Sequence, residues 1–197
     1  MNMAQNSKVI RCDWVGEKEP LMAIYHDTEW GVPEHDDQKL LAKLILDGAQ
    51  AGLSWVTILR KREGYLKAFH GFDPEKVARF GKRDIERLMK DEGIIRNRMK
   101  IESAIGNARA YLKMKEADER FSEFIWQFTD GHTIQHNFTS RNKLPASTKE
   151  SEALSKALKA KGFSFVGPTI VYAFMQAIGM VNDHTTDCFR HKICSKY

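Results

Sequence analysis

The chain has 197 residues, of which 42% are hydrophobic and 29% charged, with 13 Gly and 5 Pro. That length buries a core without disulfide support, and the composition excludes collagen-like, low-complexity and wholly disordered chains. The 31 Lys and Arg against 26 Asp and Glu leave a net charge of +5, which favours a polyanionic partner without requiring one.

The elements read as helix after helix. Asp36 or Asp37 suits an N-cap, and Leu40, Leu41, Leu44 and Ile45 then follow a 3.6-residue period until Gly52 stops the run. Ser54 can cap the next helix, which carries Trp55, Ile58 and Leu59 and, if it passes Gly64, Leu66 and Phe69. Asp73-Pro74 is an N-cap with proline at the first helical position, opening a short helix with Val77 and Phe80. Another short helix is expected from Asp84 to Lys90, then a longer one from Arg96 to Met114 with Ile101, Ala104, Ile105, Ala108 and Leu112 on one side. Phe121 to Phe128 is the next helix, and Asp130 to Ala146 reads as a long irregular loop. Ser147 to Glu150 has capping-box spacing and starts a helix that Gly162 ends. The last strong helix begins near Pro168 and carries Val171, Phe174, Met175 and Ile178. Phe163 to Val166 is the one short apolar run with a turn on each side, the only strand candidate, so the fold class is all-α.

No apolar run approaches the ~18 residues of a membrane span, since Thr169, Gln176, Lys43 and Asp47 interrupt the longest stretches. Met1 to Arg11 lacks the apolar centre of a signal peptide, so a cytoplasmic, non-membrane protein is expected. Nothing calls for more than a monomer or for more than one unit over 1–197. Cys12, Cys188 and Cys194 are an odd set in such a chain, which favours free thiols or metal ligands over a disulfide framework.

Two constellations carry chemistry. The turn from Gly162 to Thr169 leads into a helix N-terminus, where unpaired backbone N–H groups can bind phosphate without reading sequence. Lys156, Lys159 and Lys161 lie just upstream; an ordinary helical hairpin with a solvated basic face explains the same residues, and the run Arg96, Arg98 and Lys100 is as ambiguous. His184 and Cys188 stand at i and i+4, which on a helical turn puts both on one face as half a metal site. Cys12 and His26 could supply the other half, closing a four-ligand site that is structural rather than catalytic, with His191 and Cys194 as rivals.

Seven blocks in order then resemble one family: Arg11 to Trp14, Tyr25 to Pro33, Gln50 to Trp55, Gly93 to Arg98, Gly106 to Ala110, Phe165 to Thr169 and Val181 to Cys188. Together they resemble the bacterial type I 3-methyladenine DNA glycosylases, within the helix-hairpin-helix glycosylases, over nearly the whole chain. The resemblance implies a helix-hairpin-helix fold, with Cys12, His26, His184 and Cys188 holding one structural zinc ion that clasps the N- and C-terminal segments. It implies that the hairpin, with Gly162, Val166, Gly167 and Thr169, binds the backbone of double-stranded DNA containing alkylated bases. It also implies that Tyr25, Trp55 and Asp47 hold the extruded base, with Asp47 the catalytic carboxylate. The family usually has Glu at that last position, so Asp47 is one methylene shorter. Leu53 is a candidate wedge for the gap left by the base. Many relatives place a catalytic Asp after Val181, where this chain has Asn182, and Asp183 receives no catalytic role. Bifunctional relatives carry a hairpin Lys where this chain has Thr169, so a monofunctional hydrolase without lyase activity is expected.

Overall fold

A computed structural model describes residues 9–16 and 19–197. Its centre is α2 (Asp37–Gln50), whose stripe of Leu40, Leu41, Leu44 and Ile45 is buried, as the 3.6-residue period requires. Burial of each such side chain contributes about 1.5 to 3 kcal/mol. The two acidic residues at its start divide the capping work. Asp36 is the N-cap and accepts from the Lys39 N–H at 2.8 Å. Asp37 instead accepts from the backbone N–H groups of Phe121 and Ser122 at 3.2 and 2.8 Å, tying α2 to a helix far along the chain.

Around α2 stand α1 (Pro20–Thr28), α3 (Trp55–Ala68), α4 (Pro74–Ala78), α5 (Lys82–Leu88), α6 (Arg98–Glu116) and α7 (Phe121–Trp126). The chain then passes β1 (Ile134–Gln135), α8 (Lys149–Ala160), α9 (Pro168–Ala177), β2 (Val181–Asn182) and α10 (Phe189–Cys194). The α2 stripe packs against Val171, Phe174 and Met175 of α9 and Ile101, Ala104 and Ile105 of α6 in one apolar cluster. A smaller cluster gathers Cys12, Tyr25, Trp30, Leu59, Ala177 and Cys188, joining α1 to the C-terminal segment. No helix among the described residues is long and apolar enough to cross a membrane.

The all-α expectation stands, with corrections in detail. Helix α3 does run through Gly64: a Cβ there would lie 2.2 Å from the Gly93 carbonyl oxygen, so this glycine serves a close backbone approach and not a stop. The cap of α8 is Thr148, whose partner at the third helical position is Ser151; Ser147 and Glu150 do not form the box. Phe163 to Val166 is not a strand. It is the turn between α8 and α9, with Phe165 in the left-handed region at φ 55°, and Phe163 and Val166 bury their side chains from it. The strands present, two residues each, pair in parallel: Ile134 with Val181 and Gln135 with Asn182. Helices α1 and α10 are additions to the sequence reading.

Candidate functional site

Cys12, His26, His184 and Cys188 come together, all buried, with ligand atoms within 4.8 Å of one another. The structure brings together the four residues the spacing argument grouped, but through a different local geometry. Residues 183–188 are a loop, closed by the Cys188 N–H donating to the Thr185 carbonyl at 2.8 Å, and this turn, not a helix, brings His184 and Cys188 to one side. Cys12 precedes a short 3-10 turn (Asp13–Val15), and His26 lies on α1.

Sulphur to nitrogen distances are 3.6 Å for Cys12 Sγ to His184 Nδ1, 3.4 Å for Cys188 Sγ to His26 Nε2 and 3.6 Å for Cys188 Sγ to His184 Nδ1. A tetrahedron with bonds of about 2.3 Å to sulphur and about 2.05 Å to nitrogen has S to N edges of about 3.5 Å, so the donor set fits a tetrahedral ion. The outer nitrogens are occupied. His26 Nδ1 lies 2.8 Å from Asp27 Oδ1, and His184 Nε2 lies 3.1 Å from the Trp30 carbonyl oxygen, which leaves the inner nitrogens as lone-pair donors. Burial pushes the Asp27 carboxyl up, but Arg11 and His26 outweigh it and hold the group below its usual range. Hydrogen bonding from Cys12 pulls the Cys188 thiol strongly down against the cost of burial, with His184 and His26 adding to the effect. The four residues could therefore hold a metal ion. The rivals stand outside: His191 Nε2 is spent on the His136 carbonyl oxygen at 2.9 Å, and Cys194 is not in the cluster.

Asp47, Tyr25 and Trp55 also converge. All three line a cavity of about 630 Å³ whose other walls include Trp30, Leu53, Arg141 and Gln176. The Tyr25 and Trp55 rings stand with centroids 5.3 Å apart and planes tilted by 48°. Asp47 is 4% exposed, and its Oδ2 has no hydrogen-bond partner among the described residues; the indole N–H of Trp55 has none either. Tyr25 oxygen accepts from Lys43 Nζ at 2.9 Å. Burial pushes the Asp47 carboxyl up to about 6, with Lys43 opposing, and burial pushes the Tyr25 phenol well above its ordinary value. An unpaired buried polar group costs about 1 to 3 kcal/mol. One orphan acceptor and two donors between aromatic faces therefore suit a flat ligand that carries a donor and an acceptor on one edge.

Leu53 sits at the rim of this cavity, 37% exposed. Its loop is held at both ends: Lys100 Nζ donates to the carbonyls of Ala49 and Ala51, each at 2.7 Å, and the Gln50 side-chain amide donates to the Leu53 carbonyl. Lys100 thus caps the C-terminus of α2, a structural duty for one member of the ambiguous basic run.

The turn between α8 and α9 lies alongside. Asn107 grips Ser164 twice, accepting from its N–H at 2.8 Å and donating to its carbonyl at 3.1 Å. Gly162 and Thr169 are exposed, and Gly167 caps α9 without any side-chain bond, leaving the first N–H groups of α9 free of a side-chain cap. Val166 buries its side chain, and its carbonyl accepts from Ser155 Oγ at 2.6 Å. Lys156 and Lys159 are exposed, whereas Lys161 is paired with Glu119 at 2.7 Å. A Cβ on Gly48 would stand 3.2 Å from Phe165 Cβ, so the turn rests against α2 one residue beyond Asp47.

Asp183 is enclosed elsewhere. It accepts from Tyr172 Oη and Gln176 Nε2 and faces His136 Nδ1, each at 2.6 Å. Sequence reasoning missed Lys43, although its place one turn before Asp47 was visible, and missed Arg141, which a 3-10 turn (Arg141–Lys143) in the segment expected to be wholly irregular brings to the cavity.

Comparison with known proteins agrees along the chain. The family described as methyladenine glycosylase matches residues 14–191. The DNA-3-methyladenine glycosylase 1 of Escherichia coli (strain K12) is 54% identical over 178 residues, covering 90% of this chain and 95% of that protein. The DNA-3-methyladenine glycosylase of Haemophilus influenzae is 51% identical, covering 90% of this chain and 96% of its own. Among solved structures, a 3-methyladenine DNA glycosylase I superposes with TM-score 0.90 at 53% identity, covering 91% of this chain and 98% of that one. The Staphylococcus aureus 3-methyladenine DNA glycosylase I, described for its 3-methyladenine recognition, superposes with TM-score 0.87 at 38% identity, covering 91% and 95%.

Proposed function

Because this chain belongs to the methyladenine glycosylase family, we propose that it excises 3-methyladenine from alkylated double-stranded DNA by hydrolysing the N-glycosidic bond. The observation that carries this reading is the Asp47 Oδ2 and the Trp55 N–H, both without a partner among the described residues, on side chains that line one aromatic-walled cavity together with Tyr25. Adenine offers an exocyclic amine as donor and a ring nitrogen as acceptor on one edge, the complement of that set.

Methylation at N3 makes the ring cationic and weakens its bond to the sugar, so the leaving group needs little further activation. The faces of Tyr25 and Trp55 favour a cationic ring over neutral adenine by about 0.5 to 2 kcal/mol. Asp47, ionised above about pH 6, adds charge attraction and accepts from the amine. Its shorter reach relative to the usual Glu is compatible with a bridging water. Extrusion costs a few kcal/mol, offset by stacking and by phosphate contacts at the N-terminus of α9 around Gly167 and Thr169, with Leu53 entering the vacated stack.

No lysine occupies the hairpin where Thr169 stands, so the reaction stops at the abasic site. Zinc is the ion the two thiolates and two imidazoles suit, as a structural centre with no open position for water. The enzyme acts as a cytoplasmic monomer on DNA.

The test is chromatography of free bases released from methylated DNA by wild type and Asp47→Asn. Release of 3-methyladenine that drops sharply in the variant supports the reading. Folded, metal-loaded wild type that releases no base defeats it in favour of a DNA-binding module, and a borohydride-trapped adduct on abasic DNA defeats the monofunctional assignment.

A further inference from the structure

Lys43 lies on α2 one turn before Asp47, yet the two side chains face different spaces. Asp47 lines the 630 Å³ cavity; Lys43 lines a neighbouring one of about 350 Å³. Tyr25 and Trp55 line both and so form the wall between them. From behind that wall, Lys43 Nζ stands 4.0 Å from the Trp55 ring centroid and 4.6 Å from that of Tyr25, and donates to the Tyr25 hydroxyl at 2.9 Å. The other charged groups facing it are Asp47 on its own helix, Glu29 on α1 and Arg62 on α3. Glu29 and Arg62 are paired with each other at 2.7 Å, and Glu34 and Lys39, at the same cavity, are paired at 3.4 Å. Across the Asp47 cavity stand Glu19, paired with Arg60 at 2.6 Å, and Arg141. Among the described residues Lys43 is the cation on the helix turn of Asp47 itself, its ammonium lowered by burial and supported by Asp47 and Glu29.

Two consequences follow from elementary chemistry. An ammonium group has three donors and no acceptor, so a phenol that accepts from it cannot give its own proton back. The Tyr25 proton is left for a partner other than Lys43. A positive charge one helical turn away also favours the ionised carboxylate, which burial alone would push toward the neutral acid. Resting on the reading of the larger cavity as the base site, we propose that Lys43 is a positioning residue of that site. It acts through Tyr25 and Asp47, committing the phenol proton of the one to the base and holding the negative charge of the other, without touching the base itself.

The experiment compares wild type, Lys43→Met, Lys43→Gln and Lys43→Arg, each checked for folding by circular dichroism, with Lys43→Gln as the neutral variant should Lys43→Met fail to fold. The Asp47 carboxyl is followed by carbon-13 resonance in free protein, assigned with Asp47→Asn, and 3-methyladenine release is followed against pH. The expected result is a midpoint and an acid limb that move up by about one pH unit in both neutral variants and return in Lys43→Arg. Tyr25→Phe should also cost several-fold less release in a Lys43→Met background than in wild type. A resonance midpoint that stays in place in a folded neutral variant overturns the charge role, and equal costs of Tyr25→Phe in both backgrounds overturn the phenol role. If wild type releases no 3-methyladenine while the midpoint still moves, the base-excision reading fails and the electrostatic link between Lys43 and Asp47 stands.

Discussion

Asp47→Asn should make the protein more stable, and by an amount that depends on pH. The carboxyl is 4% exposed with one oxygen unpaired among the described residues, and burial raises it from 3.8 to about 6. A raised carboxylic acid favours folding fully below about pH 4, where both folded and unfolded chains are protonated at this site. That contribution is lost as pH climbs through about 6, because the unfolded chain gives up the proton first. At about 1.4 kcal/mol for each tenfold change, the rise amounts to about 3 kcal/mol of folding free energy lost to the wild type by pH 8, about half of it by pH 5. Asparagine has no proton to lose, so the stability gap between variant and wild type should open from near zero at about pH 3, through well under 1 kcal/mol at about pH 4, to about 3 kcal/mol at about pH 8. For a chain of this length that is about 6 to 12 °C in melting temperature. The assay is urea or thermal unfolding of both proteins across that range; they share the Cys and His cluster, so its own pH response cancels in the difference. A gap that stays constant from pH 4 to pH 8 would refute the reasoning.

Other expectations concern the clasp and the DNA face. Cys188→Ala should take bound metal from one ion per chain to near none and lower the melting temperature by about 10 °C or more, checked by metal analysis and calorimetry; unchanged content and melting would remove the clasp. Gly48→Ala gains helix propensity of about 1 kcal/mol but presses on Phe165, so stability should change by no more than about 1 kcal/mol while DNA affinity weakens several-fold by fluorescence anisotropy. Equal affinity would show that the turn absorbs the methyl group. Leu53→Ala should reduce extrusion of a fluorescent base analogue with little loss of stability, since the side chain is at the rim; identical signals would remove the wedge role.

The residues that announced themselves did so through periodicity or paired spacing. Asp36 with the leucines after it specified α2, and Asp73-Pro74 specified α4, because capping and the 3.6-residue stripe are local properties. The Cys and His set was visible because few residue types bind metal. Helix α1 was not visible: of its nine residues only Tyr25 and His26 are buried, too few for a period. Phe163 to Val166 misled because an apolar run between turn residues has the same composition whether it pairs in a sheet or anchors a turn, and Asn107, distant in sequence, decides which. Lys43 was illegible for the same kind of reason. A helical lysine reads as solvated until Tyr25 and Trp55, brought from α1 and α3, close over it.

The cluster that joins Cys12 to His184 links positions 172 residues apart. Such a contact adds a large loop-closure cost to any attempt to form it early, so it should complete only after the intervening helices have docked. Once made, it turns an open chain into a closed ring, and fraying from either end must first break the ring. Tyr25 immediately precedes His26 on α1, so the wall of the cavity is fastened to that ring. The last event of assembly would then also be the one that sets the shape of the site.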